Sequence, residues 1–463
     1  MSTASELPSL RLDASREETL ERASSIVAEA WRSFDRPRPG QPSIDERLGE
    51  LLHSALPAEG SSAIGALEDA ARILDTSLAQ PRPRFFAFVG SSGLEIGVLG
   101  DLLASCFDVN LALWAGAASE VEEQAVRWVS EFIGFPAAAG AFTSGGTISN
   151  VTALAAARER ALPGTRRTGL RDTQRGALYC SREAHYSVVR SAELLGIGAD
   201  QVRALPLGDL RRVSPEAVAE AIDRDLAAGI APIAVVATAG TTLTGAVDAI
   251  DALADVCAER GTWLHVDGAY GGAALAAPSA RGLFAGIERA DSFIVDPHKW
   301  LFAPYDCCAL VYRQPELARA AHAQHASYLD AVDREIWNPW DLAAHLSRRC
   351  RGLPFWFSLA VHGTDRYTAA IEHTLDTARA VAEGMAKIPQ LKLILPPTLS
   401  VILFERPGWS DADYHEWSAE LSHEGVILCV PTRWQGRTVL RLAFVNPATD
   451  PDHVLEVLRT TTS

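Results

Sequence analysis

Between residues 176 and 312, short apolar runs alternate with segments of helical spacing, and this alternation constrains the fold more than any other feature. Runs at 178–181, 233–238, 263–266, 293–295 and 309–312 are separated in places by helix-patterned stretches at 185–195, 216–226 and 251–260. A strand that is apolar throughout is buried on both faces, and strands joined through helices build a mostly parallel sheet. The carboxyl ends of such strands form the edge where ligands are held. Two of those ends carry reactive groups. The run 263–266 delivers Asp267, in His265-Val266-Asp267-Gly268-Ala269-Tyr270, and the run 292–295 leads through Asp296-Pro297-His298 to Lys299 and Trp300.

A lysine beside a histidine and an indole at the end of a buried strand has the surroundings an amine needs to lose its proton and attack a carbonyl. Asp267 precedes Lys299 by thirty-two residues. A strand-end carboxylate followed by a strand-end lysine is the arrangement pyridoxal phosphate (PLP) requires. The lysine holds the aldehyde as a Schiff base, and the carboxylate keeps the pyridine nitrogen protonated so that the ring takes up electrons. Upstream, Thr143-Ser144-Gly145-Gly146-Thr147-Ile148-Ser149-Asn150 opens a helix expected over 150–162. Glycines let the backbone approach an anion, and a helix start supplies unpaired N–H groups, so with Lys299 and Asp267 this segment reads as the phosphate cup.

The remaining chain frames this region. Helical spacing at 16–35, 43–53 (with Ser43 as candidate N-cap) and 63–78 gives an N-terminal helical segment, residues 1–80, expected to pack on the main domain or on another subunit. A large domain spans 81–369, with an irregular polar stretch over 314–354. A long helix over 369–385 leads into a small C-terminal α+β domain, 370–463, with strands at 399–404, 426–430 and 439–444. The formal net charge of −16 argues against nucleic acid or anionic membrane as partner. The chain has no apolar run near 18 residues, no secretion signal and seven cysteines without paired spacing, which together suggest a cytoplasmic protein. No metal is expected.

The DPHKW, HVDGAY and GGTISN segments at these separations resemble the group II PLP-dependent amino acid decarboxylases, which include the aromatic L-amino acid, glutamate and histidine enzymes. The resemblance runs from about residue 81 to 452. It implies an α/β architecture of PLP fold type I (aspartate aminotransferase-like), and a homodimer with active sites at the subunit interface. It implies roles residue by residue: Lys299 for the Schiff base, Asp267 for the pyridine nitrogen, Ala269 and His185 against the two ring faces. Gly146, Thr147 and His298 match phosphate contacts, and Thr242 a hydroxyl near the cofactor. Tyr328 matches a tyrosine on the family's mobile loop, the expected proton donor either directly or through His185. Asp296 departs from the asparagine common in aromatic decarboxylases, and a carboxylate beside a phosphate would repel it.

The implied reaction is decarboxylation of a small-molecule L-amino acid to a primary amine. Phe85, Phe86, Phe88 and Trp114 fall in segments that border the side-chain pocket in the relatives, which favours an aromatic substrate. Arg441 resembles a substrate-clamping arginine of the glutamate enzymes, so a glutamate or other amino acid decarboxylase stays open. So do coupled oxidative deamination to an aldehyde, an aminotransferase of the same fold, and a non-catalytic binding protein.

Overall fold

The computed structural model describes residues 10–35, 43–112, 114–171, 173–324 and 338–461. Seven strands form the central sheet: β1 (Ala139–Thr143), β2 (Gly176–Ser181), β3 (Val202–Leu205), β4 (Ala231–Thr238), β5 (Trp263–Asp267), β6 (Ser292–Val295) and β7 (Cys308–Tyr312). Their order is β1-β7-β6-β5-β4-β2-β3, and β7 runs antiparallel to both neighbours. The expected mostly parallel sheet is present. Alternate residues of each strand serve opposite faces. Leu264, Val266, Phe293, Val295 and Val311 enter one core, while Ala234, Val236, Ile294, Leu310 and Tyr312 enter the other.

Two strands were not foreseen. Gly140 lies in β1, where an added Cβ would meet the Leu310 carbonyl oxygen at 2.4 Å. The glycine there allows close strand approach rather than a turn. β3 is the sheet edge and carries Arg203, which bonds Asp225 at 2.9 Å and breaks the apolar pattern.

A second, antiparallel sheet is formed by β8 (Lys392–Leu393), β9 (Val401–Glu405), β10 (Pro431–Trp434) and β11 (Arg437–Ala443), in the order β10-β11-β9-β8. The strand expected over 426–430 lies instead at β10. Gln435 and Gly436, at φ 48° and 81°, make the tight turn that fixes the β10–β11 register, and residue 428 pairs separately with Phe85. The helix Leu353–Met385 begins sixteen residues before the expected start at 369 and is broken at Gly363 (φ 73°, ψ 164°). Its residues up to Leu375 pack in a large-sheet core, and those from Ala378 pack with the small sheet. The stretch 314–354 also holds a helix, Pro315–His322.

The N-terminal helices are Arg16–Phe34, Glu46–Leu52 and Ala63–Asp75. Asp45, not Ser43, caps the second, its carboxylate accepting the Leu48 N–H at 2.8 Å, because the helix starts two residues later than the pattern implied. Among the described residues of 10–80, Thr19 and Leu48 alone are buried. Among the described residues no helix is long and apolar enough to cross a membrane.

Candidate active site

Strands β4, β5 and β6 end at one edge of the sheet, and the helix Gly146–Ala161 begins there. Together they enclose a cavity of about 320 Å³. Its wall includes Lys299, Asp267, Ala269, His185, Gly146, Thr147, Thr242 and His298. Eight residues drawn from 146 to 299 of the sequence thus meet in one space.

Lys299 is delivered by a one-turn helix, Pro297–Trp300, that follows β6. Its Nζ lies 2.8 Å from Asp296 Oδ2. Burial would lower the lysine's pKa, but Asp296, and more weakly Asp267, outweigh it and raise the value. The same pairing works in reverse. Burial would raise Asp296, yet Lys299 and His298 hold it below the usual carboxylate range. Asp296 therefore faces the lysine and is buried, and it does not turn away from the site.

Asp267 closes β5 and accepts from Asn150 Nδ2 at 2.8 Å and from the Ala269 N–H at 3.1 Å. His298 accepts the Cys307 N–H at Nδ1 (3.0 Å), with Nε2 3.5 Å from Asp296 and its ring 4.4 Å from that of Tyr305. Burial pushes the His298 pKa down, with Asp296 opposing. His185 Nδ1 lies 2.8 Å from Ser187 Oγ.

The residues fit PLP. The first turn of the helix Gly146–Ala161 has backbone N–H groups with no intrahelical partner, which suits a phosphate. A Cβ on Gly146 would come to 3.1 Å from the Ala269 Cβ and 3.3 Å from Asp296 Oδ2, so a side chain there would crowd this cradle. Lys299 and Asp267, both on the cavity wall, would supply the amine and the carboxylate that the aldehyde and the ring nitrogen require.

Other candidates lie elsewhere in the single chain. Phe86 is buried against Phe444 in the small-sheet core, at 5.3 Å between rings. Phe85 lines a separate cavity, of about 380 Å³, that also draws on Phe34 and on the C-terminal segments 422–428 and 448–454. Phe88 and Trp114 are 58% and 38% exposed. Arg441 is buried and donates from Nη1 to the Thr242 carbonyl at 2.7 Å, one step behind the cavity wall. Tyr328 lies outside the described residues. Sequence reasoning gave no role to Asn150, Ser187 or His265, although Asn150 and His265 stand inside the motifs it quoted.

Comparisons with known proteins identify the family. The family model for the Pyridoxal-dependent decarboxylase conserved domain matches residues 46–406. An aromatic-L-amino-acid decarboxylase of Bacillus atrophaeus is 32% identical over 91% of this chain and 90% of its own. The cysteine sulfinic acid decarboxylase of Homo sapiens is 33% identical over 80% and 78%. A solved structure of Oryza sativa TDC with PLP and tryptamine superposes with a TM-score of 0.90 at 25% identity, covering 98% of this chain and 99% of that one. Fold and site together define a PLP enzyme of fold type I. The chain belongs to the pyridoxal-dependent decarboxylase family, whose members are carboxy-lyases.

Proposed function

We propose that the protein removes the α-carboxyl group of an L-amino acid, with an aromatic side chain preferred, and releases the primary amine and CO2. The meeting of Lys299, Asp267 and His185 in one cavity carries the reading. When bound, PLP supplies an aldehyde for the substrate amine and a ring that takes up the electrons left by departing CO2. Lys299 would hold the cofactor through its side-chain amine. Asp267 keeps the ring nitrogen protonated. Gly146, Thr147 and His298 hold the phosphate, Ala269 and His185 flank the ring, and Thr242 lies beside it. Tyr328, directly or through His185, returns a proton to Cα.

Two observations support an uncharged side chain. The cavity wall has no arginine among the described residues, and Arg441 lies behind it with Nη1 donating to the Thr242 carbonyl. An acidic side chain left without a partner there costs several kcal/mol. The cysteine sulfinate relative favours the opposite reading, in which Arg441 reaches the substrate. Catalytic efficiencies for phenylalanine, tyrosine, tryptophan, glutamate and cysteine sulfinate decide between them, with amine and aldehyde products both measured. An acidic substrate in the lead overturns the aromatic assignment, and aldehyde as the main product overturns simple decarboxylation.

The working form is a homodimer with active sites at its interface. The helix Glu95–Phe107 exposes Leu99, Leu102, Leu103 and Phe107, and Phe88 and Trp114 are also uncovered, an apolar surface suited to a second copy. Light scattering after size exclusion reads the mass, and a monomer at assay concentration refutes it. All seven cysteines are free thiols, which supports a cytoplasmic location.

A further inference from the structure

Asn150 is buried in the second turn of the helix Gly146–Ala161, with both ends of its amide engaged. Its Nδ2 lies 2.8 Å from Asp267 Oδ2 and 2.8 Å from Ser187 Oγ. Its Oδ1 lies 2.8 Å from His265 Nε2. Beyond it, His265 Nδ1 is 2.8 Å from Ser292 Oγ, which is 2.9 Å from Trp263 Nε1. The two ends of this chain fix its direction, because a carboxylate accepts and an indole donates.

The Asn150 amide must present its NH2 to Asp267, since its oxygen there would face another acceptor. Its Oδ1 therefore accepts from His265 Nε2–H. Burial, with Asp267 opposing, lowers His265 to about 4, so the ring is neutral and Nδ1 is an acceptor. Ser292 accordingly gives its proton to Nδ1 and accepts from Trp263. On the other side, the second Asn150 proton goes to Ser187 Oγ, leaving the serine O–H for His185 Nδ1. The Ser187 main-chain N–H also points at that nitrogen, at 3.2 Å. The His185 ring proton is left on Nε2.

We propose that Asn150 is a positioning residue that couples the Asp267 carboxylate to the tautomer of His185, so that His185 meets the substrate as an Nε2–H donor. The inference rests on the reading of Asp267 and His185 given above. One side chain would then set both the group that supports the ring nitrogen and the group that faces the other side of the ring.

Nitrogen NMR of histidine-labelled, cofactor-free protein tests this without turnover, with His185 assigned from its loss in His185→Gln. Wild type should show the Nε2–H form. In Asn150→Asp the new carboxylate recruits the Ser187 O–H, and it sets a like charge against Asp267. The Nε2–H population of His185 should fall, and the PLP Kd should rise on the order of tenfold or more, as for the loss of a hydrogen bond to a charged group. Asn150→Ala adds no charge and serves if the aspartate variant does not fold. It should give the same Kd loss with a smaller tautomer change. An unchanged His185 tautomer in both variants overturns the relay. A shifted tautomer with unchanged Kd overturns the coupling and locates the failure in the reading of Asp267.

Discussion

Replacing Asp296 with asparagine isolates the charge that stands against Lys299. Lys299 Nζ and Asp296 Oδ2 are 2.8 Å apart, and the aspartate side chain is 1% exposed. At an effective dielectric of about 20, unit charges at that separation attract by about 6 kcal/mol, before the cost of burying both is set against it. In Asp296→Asn the lysine loses this partner and has two courses. It stays charged, at less than the about 3–5 kcal/mol of a fully buried uncompensated ion, because its side chain is 23% exposed. Or it releases its proton, which at pH 7 costs about 5 kcal/mol, at about 1.4 kcal/mol per unit below a free lysine value of about 10.4. Cofactor-free Asp296→Asn should therefore be less stable than wild type by up to about 4 kcal/mol at pH 7. In wild type the raised Lys299 pKa gives a contribution that is complete below the unfolded value and lost as pH rises through the folded one. In the variant burial acts with little opposition, so stability is gained as pH climbs from the lowered folded value toward the unfolded one. The gap should narrow between neutrality and about pH 10, by up to about 1.4 kcal/mol per unit. The Asp296 contribution, present above the ordinary aspartate value and lost in acid, falls outside this window. Urea denaturation at pH 7, 8 and 9 measures the gap. A gap that ignores pH, or a variant more stable at pH 7, refutes the reasoning.

Lys299→Ala should leave the circular dichroism spectrum intact and abolish turnover. It should also remove the mass increment that borohydride reduction fixes on the wild-type holoenzyme, and an adduct of unchanged yield places attachment elsewhere. Glu122→Ala should destabilise by about 3–5 kcal/mol, read as a fall in urea midpoint, because it strands a buried cation. Glu122 and Arg348 are both fully buried, 3.0 Å apart, and Glu122 also accepts the Gly352 N–H at 2.6 Å. Tyr328→Phe keeps the ring and loses the hydroxyl, so amine should fall while aldehyde and ammonia rise in one air-equilibrated assay, with dissolved oxygen taking the two electrons. Unchanged amine without aldehyde removes Tyr328 from proton donation.

The cofactor region was legible because the strands that carry it are buried on both faces and so read as largely apolar runs, with His265 the polar interruption in β5. Asp267 and Lys299 stand at the ends of such runs, and chain direction alone then puts them on one edge. The aromatic cluster near residue 85 was less legible for an opposite reason. Phe85, Phe86 and Phe88 are neighbours in sequence, but Phe88 adopts φ 59° and the main chain around Phe85 and Phe86 bonds to residue 428. The three rings consequently go to a peripheral cavity, a core and the surface. Sequence proximity says little about shared environment once the backbone leaves a regular element.

The hydrogen-bond network behind Asp267 was illegible on different grounds. Asn150 reaches Asp267 and His265 across 117 and 115 residues, and nothing in the local pattern of either segment marks the meeting. A buried polar side chain must nonetheless find its partners, and a motif rich in such side chains implies a network even where its members cannot be named. Asp296 extends the argument. Read alone, a carboxylate near a phosphate is a misfit, but at 2.8 Å it stands as the counter-charge to the partly buried Lys299. On the proposal that Lys299 would attach PLP, the charge on that lysine and the incoming phosphate would both bear on Asp296. The pH dependence of cofactor capture should therefore differ between wild type and Asp296→Asn, whereas one identical in both would show that Asp296 takes no part.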